Sequence, residues 1–296
     1  MLSSKLHDMT SLEAAHIIHL LSLNAKTSFG KTGSHAEWIS ALQTEFKGAD
    51  RFDQEVDDKR IKIHLEEFTV KGDLSINEGG EWQRDTAHAL HTELTRVSSV
   101  LKVATDGSFR IHEDGRGEGG GGIYIDSLPP IREACYMGQY VETSGTAELA
   151  ALLRGLQIVR DTLRTSASDS RFRRYQRIVF TTDALMSLQA LAGVRVFQGP
   201  SEMQRLARLA ALCRIEAHEI LASSTNLGSI HFTWLPRMEG GNNIADKLAH
   251  AGRLSGPKFA KDSPWENPPL WGSAYEIASG KCEKLGFPEF SGEYRS

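Results

Sequence analysis

The chain has 296 residues, 40% hydrophobic and 24% charged, and contains no apolar run near the ~20 residues that a membrane span needs, so an ordinary soluble composition is indicated and a transmembrane reading is excluded. Its formal charge of −4 is not spread evenly: residues 1–100 hold 11 Lys and Arg against 16 Asp and Glu, leaving 23 against 22 in the remainder. Three dispersed cysteines, Cys135, Cys213 and Cys282, support neither a disulfide framework nor a zinc site and fit a reducing compartment.

The first segment, MLSSKLHDMTSLEAAH, carries Asp8 and Glu13 and does not resemble a targeting peptide, so a cytoplasmic or nuclear location is expected rather than secretion. Helical spacing of apolar residues predicts helices over 11–24, 35–47 and 81–101, the first opened by Thr10 and Glu13 in capping-box register. Between the last two, Ile61, Ile63 and Leu65 alternate as in a short strand or hairpin. Residues 1–100 therefore read as a small, mainly helical region without a chemical motif.

From Leu101 the pattern changes. Residues 101–109 (LKVATDGSF) predict a strand ending in a turn, and the Gly-rich stretch 115–122 leads into a second strand, GIYIDS. ACYMGQYV at 134–141 is a third strand, and TAELAALLRGLQIVRDTL at 146–163 a long helix with Leu149, Leu152, Leu153, Leu156 and Val159 on one face. RIVFTTD at 177–183 predicts a buried strand, followed by helices over 184–192 and 201–222. IHFTWLP at 230–236 is the fifth strand and NNIADKLAHAGRL at 242–254 the last helix, giving the order βββαβααβα. The division expected is 1–100, a domain over 101–255, and a Pro-rich tail over 256–296.

Four acids occupy telling places in that order. Asp106 ends the first of these strands, Glu148 sits in the first turn of the long helix, Asp183 ends the fourth strand, and Asp246 lies in the last helix. If the first and fourth strands are parallel neighbours, both strand-end carboxylates emerge at one edge of the sheet, where a helix N-terminus can add Glu148. Taken singly, each has an ordinary role: Asp106-Gly107 as a turn, Glu148 favoured by the helix dipole, Asp183 as an N-cap, Asp246 as a solvated helix residue. Together they form a charge cluster that cations must neutralise, and hard oxygen donors favour Mg²⁺, with Mn²⁺ as the alternative. Two such ions suit phosphodiester hydrolysis by an activated water.

ATDGSF at 104–109, TAELAAL at 146–152, FTTDALMSLQAL at 180–191 and WLPRMEGGNNIADKLA at 234–249 resemble, in order, the four motifs of type 1 ribonuclease H, with wording closest to retroelement ribonuclease H domains. The resemblance covers about 101–255. It implies an α/β ribonuclease H-like fold, a five-stranded mixed sheet flanked by helices, and an endonuclease cutting the RNA strand of RNA–DNA hybrids. Asp106, Glu148 and Asp183 would hold the metals and Asp246 would complete the second metal's site. Gly107, Ser108, Thr143, Ser144 and Asn242 match positions that contact or shape the nucleic-acid groove. A different class is a catalytically weak nucleic-acid-binding or scaffold protein that keeps the fold.

Two departures stand out. The loop before the last helix reads Arg237-Met238-Glu239-Gly240 where many members have a His, and Glu239 and His250, the residues that could replace it, are left out of the expected site. Gly145 stands where many relatives have a polar residue near the RNA 2′-hydroxyls, which bears on RNA–DNA discrimination. Proofreading exonucleases place an acid where Ser108 stands, and transposases and integrases carry Glu in the late helix, so both are disfavoured. The cluster Arg164, Arg171, Arg173, Arg174 and Arg177 joins the long helix to the fourth strand at the end opposite the carboxylates; it reads as a solvated loop, or alternatively as a remote phosphate or partner contact.

Overall fold

In this computed structural model the described residues are 9–25, 33–47, 56, 58–65, 81–115, 117–127, 129–138, 141, 143–165, 174–194 and 200–259. Along them run α1 (Ser11–Ala25), α2 (Gly33–Glu45), β1 (Ile61–Ile63), α3 (Glu81–Thr95), β2 (Val100–Ile111), β3 (Gly117–Asp126), β4 (Ile131–Gly138), α4 (Ser144–Thr165), β5 (Arg177–Thr182), α5 (Leu185–Leu191), α6 (Pro200–Ser223), β6 (Ser229–Trp234) and α7 (Asn242–Phe259). From β2 onward this is the βββαβααβα order of a ribonuclease H-like fold. The Pro-rich tail and Arg171 and Arg173 of the basic loop lie outside the described residues.

The strands form one mixed sheet in the order β1-β6-β5-β2-β3-β4. Strands β2, β3 and β4 are antiparallel neighbours, while β2, β5, β6 and β1 run parallel. The five expected strands are thus joined by a sixth, the alternating Ile61-Ile63 segment, which covers the open edge of β6 in the register Ile61–Ile230 to Ile63–Phe232. The N-terminal elements also share the main core: Ile17 and Leu21 of α1 and Leu42 of α2 are buried with Leu152, Leu156, Phe180 and Phe232. The capping box forms as its sequence implies, with the Glu13 amide donating to Thr10 Oγ1 at 3.1 Å and the Thr10 amide to Glu13 Oε2 at 2.6 Å.

Four expectations are corrected. The helix predicted over 81–101 ends at Thr95, because Val100 and Leu101 already pair with Arg177 and Ile178 in the sheet. The last helix runs past Gly256 to Phe259. Asp106 does not end strand β2, nor does the strand turn at 109; it continues to Ile111, held by antiparallel pairing with β3. The glycine run does not precede β3 but forms its first half.

That glycine run has a packing cause. A Cβ on Gly122 would lie 1.9 Å from the Ala245 carbonyl oxygen, and one on Gly120 would lie 2.2 Å from the Arg253 amide nitrogen. Bare glycines at these positions let α7 lie directly on the strand backbone. Helix α4 packs on the other face of the sheet and against α6. The Leu149, Leu152, Leu153, Leu156 and Val159 face of α4 is fully buried, as its periodicity requires.

Candidate active site

Strand β2 is the axis of the site. Its parallel pairing with β5 ends at Ala104, while its pairing with β3 continues through Asp106, opposite Gly122, and Gly107, opposite Gly121. Asp106 therefore lies just beyond the last residue that β5 covers, where a side chain in mid-strand faces the mouth of the sheet rather than its packed interior. By strand alternation Asp106 shares the face of Gly122, where α7 lies, and Gly107 shares the face of α4. A Cβ on Gly107 would stand 2.3 Å from the Glu148 amide nitrogen, so only glycine lets α4 come this close. The Gly107 amide in turn donates to the Glu148 carboxylate.

Glu148 is the fifth residue of α4, so it sits at the start of the second turn and not in the first. The first turn is taken up by the cap: the Thr146 amide donates to Thr143 Oγ1 at 3.2 Å, and the two threonine hydroxyls are 3.0 Å apart. Thr143 thus serves the helix, and Ser144 beside it is exposed. Gly145 is buried against Met186, whose sulfur would be 2.6 Å from an added Cβ.

Asp183 follows the last residue of β5. Its carbonyl accepts from the Trp234 indole at 3.0 Å, and the Ala184 amide donates to Thr182 Oγ1 at 3.0 Å, which fixes the turn that leads into α5. Carboxylate oxygens of Asp106, Glu148 and Asp183 all lie within 4.8 Å of one another. The sequence-predicted trio is therefore assembled in space.

The electrostatics of this trio are those of too much negative charge in too little water. Burial, then the charges of Asp183 and Asp246, raise the Asp106 pKa to about 7. Burial and the charges of Asp106 and Asp183 push Glu148 well above the usual carboxylate range. Asp183 is also raised, chiefly by burial, while Arg237 and a hydrogen bond from protonated Asp106 oppose the rise. Glu148 Oε2 is buried and has no hydrogen-bond partner among the described residues. Three hard oxygen donors with an orphaned oxygen fit a divalent cation such as Mg²⁺ or Mn²⁺.

Asp246 is close enough for its charge to act on Asp106 and Asp183, but its carboxylate is held by Arg237, whose Nε donates to Oδ1 at 2.9 Å and whose Nη2 also reaches Oδ1. The contact raises the Arg237 pKa, and the same guanidinium lowers those of Asp106, Asp183 and Glu148 by its charge. Arg237 is the site residue that the sequence reading passed over. Its signal was a cation beginning the loop where the resemblance leads one to look for a His.

The remaining expected contacts have internal partners. Asn242 is buried, accepting from Thr181 Oγ1 at 3.0 Å and donating to the Leu235 carbonyl at 2.7 Å, so it ties the loop 235–242 to β5. Ser108 Oγ accepts from Arg253 Nε at 3.0 Å. Glu239 is paired with His88 of α3 at 2.7 Å, and His250 Nδ1 lies 3.0 Å from Arg253 Nη2.

A scan against protein-family models and a search of curated proteins return no match. Similar solved structures are ribonuclease H domains. The N-terminal ribonuclease H domain of a Mycobacterium tuberculosis protein is 19% identical, with 55% of this chain and 99% of that chain covered at a TM-score of 0.38. Ribonuclease H1 of the halophilic archaeon Halobacterium salinarum is 20% identical, with 52% and 96% covered at 0.34. A foamy viral ribonuclease H domain is 18% identical, with 52% and 94% covered at 0.32. Among the described residues, no helix is long and apolar enough to cross a membrane.

Proposed function

We propose that the chain is a metal-dependent endonuclease that hydrolyses the RNA strand of RNA–DNA hybrids. The observation that carries this reading is the clustering of Asp106, Glu148 and Asp183, brought from β2, from α4 and from the turn after β5 to within 4.8 Å. A purely structural role would be poorly served by three mutually repelling, partly buried carboxylates. Asp106, Glu148 and Asp183 would hold the cations, with Asp246 completing a second position once released by Arg237. When bound, two divalent ions would supply an activated water and stabilise the departing oxygen in an in-line displacement. No side chain of the chain needs to act as a covalent nucleophile. Trp234 and Asn242 keep the Asp183 turn and the loop 235–242 in place. The assignment to RNA–DNA hybrids rests on the four sequence motifs.

A second reading, a nucleic-acid-binding protein with weak catalysis, is favoured by the Arg237–Asp246 contact, because an arginine there competes with a cation. One experiment separates the two. Purified protein and an Asp106→Asn/Asp183→Asn variant are incubated with labelled RNA–DNA hybrid, double-stranded RNA, single-stranded RNA and double-stranded DNA, with Mg²⁺ or Mn²⁺. Losing metal-borne charge stabilisation worth several kcal/mol should slow the variant by roughly 10²-fold or more. Absence of metal-dependent cleavage by the unaltered protein favours the binding reading, and preference for another duplex overturns the substrate.

A further inference from the structure

At the other end of the sheet lies a cleft of about 550 Å³, lined by Lys59, Arg60, Lys62, Gln176, Arg177 and Ser229 with a few small neighbours. These residues come from β1 and its approach and from the starts of β5 and β6, whereas Asp106 and Asp183 lie beyond the last β2–β5 pair, Ala104–Thr181, towards the finishing end of β5. The six residues of β5 alone separate the two places by about 20 Å.

The cleft's charge is one-sided. Among the described lining residues there is no Asp or Glu, and among the described residues none forms an ion pair with Lys59, Lys62 or Arg177. Among the described residues, Arg60 alone of these cations is paired with a carboxylate, through a bidentate contact with Asp58 at 2.7–3.1 Å. Arg177 is fixed in direction because Nη1 donates to the Leu94 carbonyl at 2.9 Å. Beneath the cleft, His231 is kept neutral, with a pKa of about 3, by burial and then by the positive surroundings of His64, Arg177 and Lys62. Hydrogen-bonding side chains of Ser99, Gln176 and Asn226 add neutral polarity to the rim.

This concentration of cations stands out against the acidic residues 1–100 that supply most of it. Lys59, Arg60 and Lys62 reach the cleft only because β1 pairs with β6, so docking of the N-terminal region builds the site. We propose that this cleft is a phosphate-binding site, taking phosphodiester groups of a nucleic-acid strand at the end of the sheet away from the carboxylates. It rests on the nuclease reading only for the source of the phosphate; the shared chemistry, a phosphate group against Lys59, Lys62 and Arg177, stands without it. A concave surface with fixed and flexible cations suits phosphate oxygens, and an Arg held by a carbonyl is oriented before the ligand arrives.

The test is binding in EDTA, where cleavage plays no part. The full chain, K59E/K62E, the conservative K59R/K62R, and K47E/R84E, which reverses two exposed cations outside the cleft, are compared after thermal melts confirm folding. Probes are a labelled single-stranded RNA and, separately, pyrophosphate. K59E/K62E should bind the RNA roughly tenfold more weakly, with a salt slope shallower by about 1.4, while K59R/K62R and K47E/R84E stay near the unaltered protein. Loss of pyrophosphate binding alone in K59E/K62E assigns the cleft to a small phosphorylated ligand and upholds the phosphate site. Equal losses in K59E/K62E and K47E/R84E, no loss in K59E/K62E, or no binding of either probe by the unaltered protein overturns it. Cleavage of hybrids is read in the separate assay, so failure of the nuclease reading leaves this result interpretable.

Discussion

Arg237 holds Asp246 through a contact in which both Nε and Nη2 reach the same carboxylate oxygen, Oδ1. The pair is unequal in exposure, with the arginine side chain 62% exposed and the aspartate 28%. The arginine can therefore leave without opening the core, whereas Asp246 stays, anchored by α7 on the glycines of β3. Arg237 also lies within the electrostatic reach of Asp106, Asp183 and Glu148. It is a resident monovalent substitute for part of the charge that a divalent ion would bring.

Removing it should therefore ease cation binding. Exposed ion pairs are worth about 0.2–1 kcal/mol, which sets a gain in divalent affinity of up to about fivefold. Arg237→Ala is expected to lower the Mg²⁺ concentration at the midpoint of metal-induced thermal stabilisation, with Arg237→Lys between the two. A midpoint that rises in Arg237→Ala would show that the guanidinium organises the site rather than competing for it.

Asp106 gives a pH prediction whose sign is fixed by its raised pKa. The folded protein holds the Asp106 proton up to about pH 7, while the unfolded chain releases it near 3.8. Its contribution to stability is complete below 3.8 and is lost as pH rises through about 7. Asp106→Asn, which cannot ionise, should melt progressively higher than the metal-free unaltered protein from pH 4 to pH 7, and the two should converge in acid. Saturating Mg²⁺ should close the gap at neutral pH by stabilising only the protein with an intact Asp106. Parallel melting curves at all pH values would show that Asp106 is not a buried, repelled carboxyl.

Much of this site is legible in the sequence because chain order and strand direction do most of the work. Once β2 and β5 are parallel neighbours, Asp106 and Asp183 must lie at one edge, and α4 can bring only its early residues there. What the sequence hides is contact across elements. Glycine has a low strand propensity, so Gly119–Gly122 reads as a loop until the closeness of α7 to Gly120 and Gly122, and of Val141 and Met137 to Gly119 and Gly121, explains it. Three residues are a weak strand signal, and only pairing with β6 makes Ile61–Ile63 one. The path of loop 235–242, set by buried Asn242, decides that Arg237 meets Asp246, and no periodicity encodes such a path.

Gly122 tests that account of the glycines. An alanine Cβ there would press 1.9 Å from the Ala245 carbonyl oxygen and 2.4 Å from the Ala249 amide nitrogen, both backbone atoms that cannot rotate away. Overpacking of this kind costs about 1–3 kcal/mol. Because α7 carries Asp246, its displacement should also weaken metal-induced stabilisation. Gly228→Ala is the control, since its Cβ would make an ordinary contact 3.5 Å from the Gln176 carbonyl oxygen. Equal melting temperatures for the two variants would mean that α7 does not rest on the strand backbone.

The acid limb of stability should be set by buried imidazoles. His16 is fully buried with neither ring nitrogen hydrogen-bonded among the described residues, and its ring meets His218 edge-on at 5.6 Å. Burial first, then neighbouring Arg214 and His218, lowers its pKa from 6.5 to about 2; His218 falls to about 4 and His231 to about 3, again chiefly by burial. The unfolded chain takes up these protons from about pH 6.5 downward while the folded protein refuses them. Their stabilising contribution is present above 6.5 and is lost as pH falls toward the folded values, at up to about 1.4 kcal/mol per histidine per pH unit. His16→Leu keeps an apolar group of similar bulk and removes one such proton. Chemical denaturation between pH 6.5 and 4 should therefore show a shallower decline for His16→Leu than for the unaltered protein, with little penalty at pH 7, where the ring supplies no hydrogen bond among the described residues to lose. An unchanged slope would place His16 in contact with water in the folded state.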